Sequence, residues 1–492
     1  MASTFHVENF GCRAARADGE AIGERLRAAG HCEIEGSGAD LVVVNTCSVT
    51  AEADRAARAF IRRAHRLNPE ARIVVTGCYA QRAPEELARL AGVAAVVGNS
   101  HKALAPGIAL NLLGGAPPQA GSGLVQIQAT TLERASTEQL APPQVAQVVW
   151  ADDRFAHSFL EEAQVVPGAQ TRPNLKIQEG CGNRCTFCVI PQTRGPSKSL
   201  AAAKIVRQVE GFVAAGGNEL VLSGINLGRW GRDLSGSVPA SLAGLVRHIF
   251  ERTTLPRLRL SSIEPMDWDA ELIALMADFG GSRLARHAHL PLQSGSDAVL
   301  RRMHRRYRPW HYTQKVAALL RAAGPELTVG ADVMVGFPGE TEAEFEETLA
   351  LVRALPFGYL HLFPFSPRPA TMGWALYAER PVPSEAVEER MAAFRALVAE
   401  KSKTHRRGFV GRELEAITLH TAVERSAQGR TAALTENFLP VEVAGCLPAN
   451  RLMRLVITGM NADGTLVAKL TEAADKTRYD SHSSHCEAFV PA

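Results

Sequence analysis

The chain has 492 residues, 46% of them hydrophobic and 21% charged, an ordinary balance for a globular protein of two to four domains. A formal net charge of +3 is too small to mark the whole surface for an anionic partner, so any such partner must be met by a local patch. No run of about 18 apolar residues occurs, and the start MASTFHVENF has neither a basic n-region nor a long apolar h-region, so a cytoplasmic protein without membrane contact is expected.

Residues 3–113 alternate strand-like runs at Phe5–Val7, Leu41–Val44, Ile73–Val75 and Val93–Val97 with helical stretches such as Asp54–Leu67 and Pro84–Leu90. This alternation predicts a parallel α/β sheet. Cys12, Cys47 and Cys78 each follow an apolar run (TFHVENFGC, LVVVNTC, RIVVTGC). Ligands of such sheets gather beyond the strand carboxyl ends, so three cysteines far apart in sequence can converge on one edge. That placement suits a metal cluster, which three equivalent positions favour over the plainer reading of small buried thiols. Residues 114–170, rich in proline, glycine and glutamine, read as a linker with one helix near Asp152–Ala163 and carry no functional signal.

From Asn174 a strand–turn–helix unit repeats. Strands end at LKIQEG, ELVLSG, RLRLSS, HAHLPL, LTVGADVMVG and YLHLFPF, with helices such as Ala201–Ala215, Ala240–Glu251 and Tyr312–Ala323 between them. Six such units predict a partial (β/α)6 barrel with its working loops at the strand C-ends. A polar helix from about Ser384 to Arg407 follows. Short strands at Leu414–His420, Thr431–Thr435, Pro440–Val443, Arg451–Thr458 and Thr465–Leu470 then predict a small five-stranded barrel. The expected division is 3–113, 114–170, 171–400, 401–471 and a flexible tail, 472–492, whose His482, His485 and Cys486 are metal-capable but read as a mobile end.

Nine cysteines, an odd and clustered set, favour metal in a reducing compartment over disulfides. Cys181, Cys185 and Cys188 form a compact C-x3-C-x2-C run, with Gly180 and Phe187 suited to a loop around a cluster. Three thiolates leave one iron of a cubane for a non-protein ligand. Zinc would ordinarily recruit four N/S ligands, commonly in two C-x2-C pairs, and no second pair follows.

The ordered set NTCSVT, VVTGCYAQ, EGC-x3-CTFCVIP-x2-RG, LSGINL, LSSIEP, HLPLQSGSD and DVMVGFPGET resembles the methylthiotransferases among the radical S-adenosylmethionine enzymes, over residues 3–113 and 172–470. The resemblance implies that Cys181, Cys185 and Cys188 hold a [4Fe–4S] cluster exchangeable with S-adenosylmethionine. It implies that Cys12, Cys47 and Cys78 hold an auxiliary [4Fe–4S] cluster that carries the transferred sulfur, and that an electron donor such as a flavodoxin or ferredoxin serves a monomeric enzyme. No catalytic residue is assigned beyond the cluster ligands. Around the cofactor the expected contacts are Ser223, Gly224, Glu264, Gln293, Ser294, Gly336 and Gly339. Turn and cap roles compete with these: Thr341 and Glu344 spell a capping box, and Ser296 or Asp297 can cap a helix.

Substrates in this family are tRNA adenosines beside the anticodon or a ribosomal-protein aspartate. Residues 401–470 carry ten Lys/Arg against six Asp/Glu, and a basic small β-barrel, here similar to the TRAM domain, favours RNA. The segment RRMHRRYRPWHY interleaves Arg301, Arg302, Arg305, Arg306 and Arg308 with Tyr307 and Trp310, which suits phosphate contact and base stacking as well as a solvated helix face. NTCSVTAEADRAARAFIRRAHR and LSSIEP resemble the branch acting on N6-threonylcarbamoyladenosine in the tRNA anticodon stem-loop. The isopentenyladenosine and ribosomal-protein branches are the alternatives, and an RNA-binding protein with purely structural cysteines is the non-enzymatic one. Relatives have Arg where this chain has Lys198, which keeps the charge but loses the bidentate fork.

Overall fold

The structure is a computed structural model describing residues 3–36, 38–114, 148–155, 171–234, 236 and 239–471. Its first sheet contains β1 (Thr4–Asn9), β2 (Cys32–Glu33), β3 (Leu41–Thr46), β4 (Arg72–Gly77), β5 (Val93–Gly98) and β6 (Val148–Trp150). They lie in the order β2-β1-β3-β4-β5-β6, all parallel. Every residue of β3 (LVVVNT) is buried, as expected of a strand covered on both faces. Val42, Val44, Ile73 and Val75 pack on Phe60, Ile61 and Ala64 of helix Ala51–Leu67. Val43, Val74 and Val97 face Ile22, Leu26, Ile108 and Leu112 on the other side. Thr50 caps the first of these helices by accepting from the Ala53 N–H.

The four predicted strands are present and lengthened by one to three residues, and two edge strands join them. β6 arises inside the stretch expected to be a linker, paired to β5 through Val96↔Val149. Residues 152–155 form no helix, and the remainder of the helix expected near Asp152–Ala163 lies outside the described residues, as do His482, His485 and Cys486.

The central region contains β7 (Asn174–Glu179), β8 (Lys198–Ser199), β9 (Glu219–Gly224), β10 (Arg257–Leu260), β11 (His287–His289), β12 (Thr328–Val335) and β13 (Phe357–Pro364). They form sheets ordered β10-β9-β7-β8 and β11-β12-β13, parallel throughout except for β8. A bridge between Leu258 and Leu284 and the Ala285 N–H donated to the Leu258 carbonyl (2.9 Å) join the sheets into the six-stranded partial barrel. One continuous apolar core runs through it.

β14 (Glu413–Thr418), β15 (Arg430–Thr435), β16 (Pro440–Ala444), β17 (Leu452–Met460) and β18 (Leu466–Leu470) close a barrel in the order β14-β15-β16-β18-β17. Its inward Leu414, Ala416, Val441, Val443, Leu455, Ile457, Leu466 and Ala468 make a core of their own. The barrel docks on the N-terminal ends of the central strands. Phe438 stacks on His287 (4.4 Å between centroids) and lies under Arg259 (5.4 Å). Arg286 pairs with Glu436 at 2.6 Å. Helix Ser384–Arg407 leads to this junction, where His405 Nε2 meets Thr328 Oγ1 at 2.9 Å.

Candidate functional site

At the carboxyl edge of the first sheet, Cys12 precedes helix Arg13–Ala28, Cys47 follows β3, and Cys78 opens helix Cys78–Arg82. The preceding glycines make this geometry possible. Gly11 has φ +99°, and a Cβ there would stand 2.2 Å from Cys47 Cβ; Gly77, also at φ +99°, would place one 2.3 Å from the Thr46 carbonyl. Cys47 and Cys78 are buried, Cys12 is exposed, and all three are free thiols. Burial pushes the Cys47 thiol up to about 12, with Cys78 and Cys12 adding to it. Donors surround the sulfurs: the Val49 N–H is 3.5 Å from Cys47 Sγ, while Asn99 Nδ2 and Arg194 Nε are 3.4 and 3.2 Å from Cys78 Sγ.

Arg194 reaches this edge from the central region, beyond the barrel cysteines. Its Nη1 donates to Glu179 (2.7 Å) and Asp18 (3.1 Å), which also pair with Lys102 and Lys176 in a buried network tying the two regions together. Its Nη2 is buried without a hydrogen-bond partner. An anionic sulfur cluster held by three thiolates would satisfy this orphaned donor, so the residues fit such a group.

The second triad sits at the carboxyl end of β7. Gly180 has φ +68°, and a Cβ there would stand 2.0 Å from the Pro196 carbonyl, which turns the chain into the cysteine loop. The loop is pinned by the Thr186 N–H to the Met303 carbonyl (3.2 Å) and the Gly373 N–H to the Thr186 carbonyl (2.7 Å). The Asn183 N–H and Asn226 Nδ2 lie 3.4 and 3.5 Å from Cys181 Sγ, and Arg305 Nη1 lies 3.3 Å from Cys185 Sγ. Burial raises the Cys185 thiol against the opposing charge of Arg305, and pushes Cys188 up to about 12. Nearby strand ends hold the buried, unpartnered Asn226 Oδ1, Ser261 Oγ and Gln293 Oε1. Three thiols with donors at their sulfurs and unmet polar atoms alongside fit a cluster carrying a polar organic ligand.

A cavity of about 320 Å³ lies against Cys185, lined by Gly182, Asn183, Arg184, Arg229, Glu264, His304, Arg305 and Arg306. Beside it, Arg229, Arg232 and Arg306 converge on buried Asp267 at 3.8, 3.0 and 3.3 Å. Three guanidiniums against one carboxylate leave an excess of positive charge.

The predicted cofactor contacts divide. Gln293 is nine-tenths buried at φ +63°, a strained setting for a side chain at a strand end. Ser223 and Gly224 end β9; a Cβ on Gly224 would meet Gln178 Cβ at 2.8 Å. Ser294 Oγ is engaged with Thr348 Oγ1 (3.0 Å) and the Ser296 N–H (3.1 Å), holding its own loop. Gly336 (φ +76°) is packed by Val387, and Gly339 (φ +72°) forms the turn into the Thr341–Glu344 capping box. Both oxygens of Glu264 accept from Arg305 Nη2 at 2.7 and 2.6 Å, so this carboxylate holds a guanidinium.

The arginine segment is not one solvated face. Arg305 and Tyr307 are buried, which corrects the expectation that Arg305 meets phosphate: its charge is spent on Glu264 and Cys185. Arg302 chelates Glu344 (2.8 and 2.7 Å), Arg301 and Arg308 pair with Asp297 (2.8 and 3.1 Å), and Trp310 is half exposed. Lys198 Nζ donates to the Phe155 carbonyl at 2.9 Å, a contact that needs no bidentate fork. Sequence reasoning did not reach the roles of Arg194, Asn99 and Arg305, although Arg194 stands nine residues after Cys185 in the motif that carried the resemblance.

Two family descriptions match the chain: Uncharacterized protein family UPF0004 over residues 4–98 and the Radical SAM superfamily over 175–352. The threonylcarbamoyladenosine tRNA methylthiotransferase of Aquifex aeolicus is 33% identical over 452 residues, 92% of this chain and 99% of that protein. The tRNA-2-methylthio-N(6)-dimethylallyladenosine synthase of Erythrobacter litoralis is 34% identical over 424 residues, 85% and 87% of the two chains. Among solved structures, the cobalamin- and [4Fe-4S]-bound radical S-adenosylmethionine methyltransferase of Kitasatospora setae matches with a TM-score of 0.50 at 16% identity, covering 77% of this chain and 75% of that one, a likeness of fold.

Proposed function

Because this chain belongs to the tRNA methylthiotransferases of the radical S-adenosylmethionine superfamily, we propose that it methylthiolates C2 of N6-threonylcarbamoyladenosine beside the anticodon, using two [4Fe–4S] clusters. Relatives of both adenosine branches are about equally identical to it, and the cavity at Cys185 favours one substrate over the other. Its lining is polar and cationic and contains no aliphatic side chain. A threonylcarbamoyl group brings a carboxylate, a hydroxyl and urea-type N–H groups that such a lining can pair. A dimethylallyl group would leave the same charges desolvated and unmatched, which buried polar groups penalise.

Cys181, Cys185 and Cys188 would hold the cluster that S-adenosylmethionine joins, and Cys12, Cys47 and Cys78 the second. Bound there, the clusters supply the electron for reductive cleavage of S-adenosylmethionine and the sulfur that is transferred. The chain's own groups position and compensate. Arg305, fixed by Glu264, donates to Cys185; Arg194, fixed by Glu179 and Asp18, donates to Cys78. Gln293, Ser223 and Gly224 would contact the organic cofactor. Arg229 and Arg306, sharing one counter-charge, would receive the substrate carboxylate. Residues 3–113, 171–400 and 401–471 would divide the work into sulfur carrier, radical generator and RNA module.

Anticodon stem-loops bearing either nucleoside, incubated with reconstituted enzyme and digested for mass spectrometry, test the reading. The 2-methylthio product should form on threonylcarbamoyladenosine, and Arg306→Gln should lower kcat/KM for it by about tenfold to a hundredfold, the worth of a charge-assisted contact. Preferential product from the dimethylallyl substrate would sink the proposal.

A further inference from the structure

Strands β11, β12 and β13 bring a second group of ligand-type side chains together, with no cysteine among them. The register sets His289 opposite Gly330 and Asp332 opposite His361, and the two-residue strand period sends all three side chains to one face. Asp332 Oδ1 lies 3.3 Å from His289 Nε2 and 3.2 Å from His361 Nδ1, and the three ligand atoms all lie within 4.8 Å of one another. His289 is nine-tenths buried, and neither of its ring nitrogens makes a hydrogen bond. Burial raises the Asp332 carboxyl, but the two histidines outweigh it and hold the group below the usual carboxylate range, ionised.

A simple hydrogen-bonded chain accounts for His361, whose Nδ1 reaches the carboxylate. It accounts less well for His289, buried with Nδ1 unmet and with Nε2 3.3 Å from the carboxylate but without hydrogen-bond geometry. A metal ion accounts for both. Zinc–nitrogen and zinc–oxygen bonds of about 2.0–2.1 Å place adjacent corners of a tetrahedron roughly 3.3–3.4 Å apart, close to both spacings around Asp332. Two neutral imidazoles and one carboxylate form a recognised donor set for such an ion. We propose that His289, Asp332 and His361 form a divalent transition-metal site of the zinc class that shares no ligand with the cysteine triads, with one coordination position open beside the exposed His361. That position would take water or another oxygen ligand.

The test uses the holoprotein, reconstituted anaerobically with iron and sulfide, equilibrated with a small excess of Zn(II), desalted and counted for zinc and iron by elemental mass spectrometry. About one zinc per chain is expected with iron unchanged. His361→Gln and Asp332→Asn should retain iron but bind zinc at least about tenfold more weakly, the loss that even an outer-shell change can cause. His361 is exposed, so its glutamine variant decides the matter should Asp332→Asn disturb folding. Zinc retained equally by wild type and His361→Gln, no zinc in wild type, or zinc gained only as iron is lost would each overturn the assignment.

Discussion

Arg194 and Arg305 do for the two cysteine triads what neither triad does for itself: each brings a buried positive charge to a sulfur while anchored by a carboxylate. Burial alone opposes ionisation of these thiols, so a fixed guanidinium, together with any cluster bound there, would favour the thiolate. The sites nonetheless draw on different sequence segments, and their losses should separate. Cys47→Ala should lose about half of the iron yet still release 5′-deoxyadenosine under dithionite, with no methylthio product on tRNA. Cys185→Ala should lose the cleavage itself, because a missing thiolate exposes a second iron and removes the single attachment point. Wild-type levels of methylthio nucleoside from the Cys47 variant, measured by mass spectrometry, would contradict a working second cluster.

At the scale of elements, regularity decided what could be read in advance. Strands β1, β3, β4, β5 and the barrel strands announce themselves because continuous apolar runs bounded by Gly, Asn or Ser have few other foldings. β6 escaped because three residues, Val148–Trp150, gain strand character only from pairing with β5. The cysteines were legible because spacing is written in the chain. The inward turn of Arg305 was not, because it depends on Glu264 arriving from 41 residues away. On the C-terminal barrel, Arg454 lies diagonally across from Lys469 on the outer face of β17 and β18, with Arg451 just before β17. If this face meets RNA phosphates, Arg451→Glu combined with Lys469→Glu should weaken tRNA binding and flatten the slope of log affinity against log salt by one to two units (about 0.7–0.9 per contact). Cleavage of S-adenosylmethionine without tRNA should be unchanged. A salt titration with an unaltered slope would remove the barrel from the RNA interface.

For the whole molecule, the seams are polar. Asp18, Lys102, Lys176, Glu179 and Arg194 lock the first sheet to the central strands, and Asp54, held within its own region by Arg82 (2.8 Å), adds a second tie through Arg368 (2.7 Å). The C-terminal seam includes His405, whose pKa burial lowers to about 4, with Arg406 adding to the effect. The unfolded chain takes up this proton near pH 6.5 and the folded one only near pH 4. His405 therefore costs nothing above pH 6.5, and stability is lost as pH falls through that window, by up to about 3 kcal/mol. His405→Gln should flatten the fall in melting temperature between pH 6.5 and 4.5; an unchanged profile would show that the seam opens before global unfolding.

The same seam fixes a length. Because the C-terminal barrel meets the N-terminal ends of the central strands while the cysteine loop leaves the carboxyl end of β7, the two lie at opposite ends of the parallel sheet, a strand length apart, about 20 Å for the six residues of β7. An RNA that engaged both places would be measured as by a calliper: its modified loop and the part held by the barrel would have to be separated by a fixed rise, and a hairpin too short to span the jaws would keep one contact and forfeit the other.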